Sequence, residues 1–66
     1  MKFKLLRGAI IGKFGTLSNF ADYIGVSLQT VSAKLSGRNS FTTKEIYKWC
    51  DVLGIKISEV GKYFFA

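Results

Sequence analysis

The sequence predicts an all-α fold, a compact four- to five-helix bundle built around a helix–turn–helix. Three observations predict it. Apolar residues recur at three- and four-residue spacing along most of the chain. Gly15, Gly25, Gly37 and Gly54 each follow such a stretch at the place of a helix C-terminal cap, and proline is absent. The segment 16–37, TLSNFADYIGVSLQTVSAKLSG, holds two short amphipathic patterns hinged at Gly25.

The first helix is predicted over 3–14, where Leu6, Ile10 and Phe14 recur every fourth residue as a buried stripe. Thr16 can cap the second helix, whose apolar positions are Leu17, Phe20, Ala21 and Ile24. Ala21 is small where two crossing helices come closest. In the hinge, Gly25 can end a helix in the left-handed conformation without a Cβ penalty. Ser27 can cap the next helix by accepting a bond from the Thr30 N–H, and Val26 and Val31 stand at hydrophobic-staple spacing. The third helix runs over 28–36, followed by a loop at 38–41. Thr42-Thr43-Lys44-Glu45 matches a capping box that opens the fourth helix, with Phe41 and Ile46 flanking it as a second staple. Ile46, Trp49, Cys50 and Leu53 form its apolar face. After Gly54, residues 55–57 read as an extended or irregular connector, and Ser58 as the cap of a last short helix carrying Val60 and Phe64. The 66 residues are taken up by one domain, with no repeat or low-complexity tail.

Ten Lys and Arg stand against four Asp and Glu, a net charge of +6, which points to a polyanionic partner, either nucleic acid or an acidic membrane surface. Apolar residues make up 48 % of the chain, enough for a core. Cys50 is the only cysteine and there is no histidine. A disulfide framework, a zinc finger and any Ser-His or Cys-His catalytic arrangement are thereby excluded. No enzymatic activity, cofactor, metal or small-molecule ligand is expected, and a reducing, cytoplasmic setting is the simplest reading. The basic start MKFKLLRGAIIGKFG reads as helix rather than signal, because Lys13 and the glycines interrupt its apolar stretch. Gly8 and Gly12 make a GxxxG, but no apolar run approaches the roughly 20 residues that span a bilayer.

The segment 16–55 resembles the Cro/CI-like (XRE-type) helix–turn–helix regulators of phages and bacteria. The resemblance is carried by Phe20-Ala21, Ile24-Gly25-Val26-Ser27, Thr30-Val31-Ser32, Leu35-Ser36-Gly37 and Leu53-Gly54-Ile55. The whole chain also resembles small uncharacterised phage-encoded regulators, through Leu6-Arg7-Gly8, Lys13-Phe14-Gly15-Thr16, Lys34-Leu35 and Tyr63-Phe64-Phe65. These resemblances imply a lambda-repressor-like fold whose third helix enters the major groove while the second crosses the phosphate backbone. They also imply binding to a double-stranded DNA operator in the host cytoplasm, usually as a dimer on a near-palindrome. Two positions depart from the pattern. Lys34 stands where apolar residues are common, and its stem can cover the core while its ammonium reaches a phosphate. Leu28 stands where DNA-reading members are often polar.

A helix turns about 100° per residue, so faces can be assigned. Val31 and Leu35 define the inward side of the third helix, and Leu28 falls in the same sector. Gln29, Ala33 and Ser36 point the opposite way, flanked by Thr30 and Ser32. The candidate base-reading set is therefore Gln29, Ala33, Thr30 and Ser32, with Gln29 suited to adenine and Ala33 or the Thr30 methyl to a thymine methyl. Candidate phosphate contacts are Lys34, Ser36, Arg38, Asn39 and Ser40, then Lys44, and Ser18 and Asn19 at the start of the second helix. Lys2, Lys4, Lys56 and Lys62 read as solvated charges. Phe14, Phe20 and Phe41 fall on core stripes, and Trp49 reads as core with a wet edge. A short terminal helix cannot bury Tyr63, Phe64 and Phe65 together, so Tyr63 and Phe65 form a candidate homodimer surface, one that pairs only on DNA if the patch is small.

Two other functions compete. A protein-binding modulator or antirepressor on the same fold would use the C-terminal aromatics and need no DNA. A cationic membrane-surface protein would have to expose the apolar stripes, which the capped, glycine-punctuated pattern argues against.

Overall fold

The computed structural model describes residues 3–65; Lys2, read above as a solvated charge, lies outside them. Five α-helices follow in order: α1 (Lys4–Phe14), α2 (Leu17–Ile24), α3 (Leu28–Ser36), α4 (Thr43–Leu53) and α5 (Val60–Phe64), with a 3-10 turn at Ile57–Glu59. Among the described residues there is no strand.

Hydroxyl side chains start three of these helices. Thr16 Oγ1 accepts the Asn19 N–H at 3.0 Å, and Ser27 Oγ accepts the Thr30 N–H at 3.2 Å. Thr42 Oγ1 accepts the Glu45 N–H at 3.1 Å while the Glu45 carboxylate accepts the Thr42 N–H at 2.8 Å, closing the capping box. Helix ends are set as firmly. Gly25 (φ 82°) and Gly37 (φ 87°) are left-handed, and each is followed by an N–H that reaches back over the last turn. The Val26 N–H bonds the Ala21 carbonyl at 3.0 Å, and the Arg38 N–H bonds the Ala33 carbonyl at 3.0 Å. A Cβ at either glycine would be forced into a conformation L-residues avoid.

Leu6, Ile10, Phe20 and Val31 are fully buried and join Ala21, Ile24, Leu35, Trp49, Cys50 and Phe64 in one core. Edge-to-face aromatic contacts run through it. Phe14 meets Phe20 at 5.2 Å, Phe20 meets Trp49 at 4.8 Å, Trp49 meets Phe41 at 4.9 Å and Phe41 meets Phe64 at 5.0 Å. Such pairs add about 0.5–1.5 kcal/mol each beyond the area they bury. The ladder ties α1, α2, α4, the α3–α4 loop and α5 together, so α3 is held by a rigid frame. Two lysines fasten that frame from outside. Lys13 on α1 donates to the Val52 carbonyl at 2.8 Å, and Lys48 on α4 donates to the Ile24 carbonyl at 3.3 Å. Both ammonium groups bond carbonyls at helix C-terminal ends, of α4 and α2, where a cation opposes the negative end of the helix dipole.

Four details differ from the sequence reading. Phe3 lies outside α1 as its N-cap, at φ 57° and ψ 39°, with its ring edge-on to Phe41 at 5.4 Å. That contact offsets the roughly 1–2 kcal/mol a non-glycine residue loses in the left-handed region. Ser58 caps nothing: it sits inside the 3-10 turn, whose N-cap is Lys56, because the chain tightens before α5 begins. Trp49 has no wet edge; it is 2 % exposed, since the rings of Phe20 and Phe41 cover it. Val26, placed at staple spacing, is left 38 % exposed.

Candidate nucleic-acid interface

The turn between α2 and α3 is three residues, Gly25 to Ser27, and leaves α3 with one face in the core and one outside. Val31 and Leu35 are buried. Leu28, Gln29, Ser32 and Ser36 are exposed and form a strip along the uncovered side of the helix. No member of that strip is charged. Thr30 is half-buried beside it, its hydroxyl 2.9 Å from Ser27 Oγ and so occupied in the cap.

Two of the candidate contact residues are inside: Ala33, placed outward by helical angle, and Lys34, whose ammonium was expected on a phosphate. Ala33 is 8 % exposed. Its carbonyl accepts the Arg38 N–H at 3.0 Å, the Asn39 N–H at 3.2 Å and the Ser36 hydroxyl at 3.0 Å, so the chain folds back over it. Ala33 is thereby removed from the base-reading set. Lys34 is removed from the phosphate set. It is 8 % exposed, and its ammonium donates to the Glu45 carboxylate at 2.9 Å and to the Ser40 carbonyl at 3.0 Å. The same ammonium lies 5.7 Å from the Phe41 ring centroid. Its stem does cover the core, but its charge is met from within. Leu28 moves the other way: placed in the inward sector by angle, it is 44 % exposed because it stands in the first turn, ahead of any covering element.

Glu45 joins two devices. Partial burial alone would raise its carboxyl pKa, but the Thr42 N–H bond and the Lys34 ammonium outweigh this and hold it below the usual value. One carboxylate thus caps α4 and pairs the cation from α3. The consequence is a fixed loop between them. In that loop Arg38, Asn39 and Ser40 are exposed, and Arg38 Nε donates to Ser36 Oγ at 3.3 Å, which lays the guanidinium stem beside the α3 strip.

The remaining candidates are scattered around this centre. Lys44 is exposed in the first turn of α4. Ser18 is exposed at the start of α2. Asn19 is exposed too, but its amide donates to the Phe14 carbonyl at 2.9 Å and so helps close α1. Lys62 lies 3.7 Å from Glu59, both exposed. At the C-terminal end Phe64 is buried, Tyr63 packs half-buried against the core, and Phe65 is 70 % exposed. Sequence reasoning missed the exposed Tyr23 and Tyr47, although no stripe claimed either. It also missed the pairing of the Lys34 ammonium with Glu45, which stands eleven positions on.

Among the described residues no group of three His, Cys, Asp or Glu could hold a metal ion. The Cys50 thiol is buried, and burial pushes its pKa up, away from the reactive thiolate. No helix among the described residues is long and apolar enough to cross a membrane.

Among curated proteins none matches the chain. A family model described as "Protein of unknown function (DUF739)" matches residues 1–66. A match over that span places the chain within a family: it belongs to DUF739.

Proposed function

We propose that this protein is a sequence-specific DNA-binding regulator of the Cro/repressor kind, which inserts α3 into the major groove of an operator. The observation that carries the reading is the α3 strip: Leu28, Gln29, Ser32 and Ser36 are exposed, small or flexible, and uncharged, on a helix held rigidly from behind. Small uncharged side chains let a helix approach base edges closely. Gln29 can bond adenine through N6 and N7, and Leu28 can meet a thymine methyl. Arg38, Asn39 and Ser40 in the next loop, Lys44 on α4, and Ser18 and Asn19 at the start of α2 supply the phosphate contacts. A net charge of +6 supports a polyanionic partner. Reading by one short helix covers half a site, so the operator carries two half-sites about one DNA turn apart.

Selection from randomised duplex DNA at two salt concentrations tests this. A sharp enriched motif that survives near physiological salt is the expected result. Weak, sequence-blind binding that disappears there would overturn it and leave the protein-binding modulator as the better account.

A further inference from the structure

We infer that α3 selects A·T pairs alone: Leu28 covers a thymine methyl, Gln29 bonds adenine, and the helix presents no side chain that selects guanine or cytosine. The inference rests on the DNA reading above and fixes the kind of site such a regulator takes.

The structure leaves α3 few readers. Thr30 spends its hydroxyl in the cap, 2.9 Å from Ser27 Oγ. Ser36 is engaged both ways: its hydroxyl donates to the Ala33 carbonyl at 3.0 Å and accepts from Arg38 Nε at 3.3 Å. Ala33 is buried. Leu28, Gln29 and Ser32 remain, all exposed. The Ser32 hydroxyl can donate or accept, so it suits any base. Discrimination therefore falls to Leu28 and Gln29, side by side in the first turn.

The chemistry of these two fits one kind of pair. Guanine offers two acceptors in the major groove, N7 and O6, and is selected by Arg or Lys. The one cation on α3 is Lys34, and it is withdrawn. Its ammonium donates to the Glu45 carboxylate at 2.9 Å and to the Ser40 carbonyl at 3.0 Å. Gln29 cannot replace it, because a carboxamide laid along the guanine edge sets its own oxygen against O6. Cytosine offers the N4 donor and is selected by Asp or Glu, and α3 carries neither. Adenine offers an acceptor and a donor, N7 and the N6 amino group, which match the two ends of the Gln29 amide. Leu28 adds a preference of another kind. It is 44 % exposed and wholly hydrocarbon, so it gains by covering a thymine methyl and loses by stripping water from the polar edge of guanine. Placement keeps the two preferences together. Consecutive Cα atoms lie about 3.8 Å apart and successive base pairs about 3.4 Å. Leu28 and Gln29 thus face one pair or two neighbours, and every pair that they select is A·T.

The test starts from the motif that the unsubstituted protein selects from randomised duplex DNA, and repeats the selection with Leu28→Ala and with Gln29→Ala. Positions that either variant relaxes mark the footprint of the first turn. They should be A·T, and Gln29→Ala should lower the preference for adenine there by about five- to 150-fold. Each thymine of the selected site is then replaced by uracil in turn, which removes the C5-methyl and keeps the pairing. For at least one thymine the unsubstituted protein should bind about fourfold more weakly, the worth of one buried methyl. Leu28→Ala should be indifferent to that replacement. A G·C pair at a relaxed position, a motif that neither variant relaxes, or a uracil penalty that Leu28→Ala leaves unchanged would overturn the inference while the operator reading stands. So would equal binding of uracil and thymine at every position, a series that needs no variant to fold. If no motif is enriched at all, the operator reading fails and the inference falls with it.

Discussion

The two ends of α3 are built for opposite purposes. Among the described residues its first turn makes no side-chain bond to any other element: Leu28 and Gln29 are exposed, and the Ser27 and Thr30 hydroxyls bond only each other and the local backbone. Its last turn is tied three ways, through the Ala33 carbonyl, the Lys34 ammonium and the Ser36 hydroxyl. One end is offered and the other is anchored. The separation predicts that substitutions at the front change binding and leave stability alone, whereas those at the back do the reverse.

The largest effect should come from putting a negative charge on the offered face. Ser32 is exposed at the middle of the strip and its side chain bonds none of the described residues, so Ser32→Glu leaves the fold intact. Against DNA it places an anion beside base edges and phosphates, and operator affinity should fall by about 3 kcal/mol or more, a hundredfold or beyond. Thermal unfolding and a binding titration measured on one preparation check both halves. A drop in melting temperature as large as that of a core substitution would mean that Ser32 is structural. Gln29→Ala is the gentler form of the same test, with a loss of about 1–3 kcal/mol confined to one base position.

At the anchored end the effect should reverse. Lys34→Met keeps the stem and removes the ammonium. Glu45 then keeps its Thr42 bond and its access to water, so the loss of stability is about 1–2 kcal/mol rather than the full cost of stranding a buried charge. Adding Glu45→Gln should recover part of it, and a double-mutant cycle from urea midpoints would measure the coupling. A coupling near zero would show that Phe41 packing, not the ion pair, holds the loop.

That anchored end is also where the sequence was hardest to read. Thr16, Ser27 and Thr42 announce helix starts, and Gly25 and Gly37 announce ends, because each acts on backbone groups within a few residues of itself. Such signals are legible in one dimension. Ala33 and Lys34 are decided by a loop that folds back and by an acid eleven positions on, and helical angle alone contains neither. Leu28 shows the converse: it shares the angular sector of Val31 and Leu35 yet is exposed, since no element covers the first turn. Of the terminal aromatics, the sequence shows only that one must stay outside. The 3-10 turn at Ile57–Glu59 sets the phase that buries Phe64 and leaves Phe65 out.

Acid should probe the same anchor with a smaller effect. The Glu45 pKa is lowered in the folded state, so its contribution is complete above the unfolded value of about 4.3 and is lost as pH falls through the folded value. Between those two values the unsubstituted protein should lose stability more steeply than Glu45→Gln, and above the unfolded value the difference between the two should be constant. Denaturant midpoints from neutral pH down to about pH 3 decide it. Parallel curves throughout would place the acid sensitivity in another carboxylate.

The smallest effect belongs to Arg38, where the two ends of the comparison meet. Its N–H closes the α3 end on the Ala33 carbonyl, and its side chain reaches Ser36 on the exposed strip. A truncation spares the first bond, which is backbone, and removes the second. Stability should therefore change by less than about 0.5 kcal/mol, as at most exposed positions. Binding should weaken by a similar factor on every duplex, because a guanidinium on the phosphate backbone carries no sequence information. The slope of log affinity against log salt should become shallower by about one unit per copy. The Ser36 bond sets the alternative outcome. It holds Arg38 against the strip, within reach of the groove as well as the backbone. If Arg38→Ala relaxed one base position and left the salt slope alone, Arg38 would belong to the reading face, and the boundary between offered and anchored ends would move past Gly37.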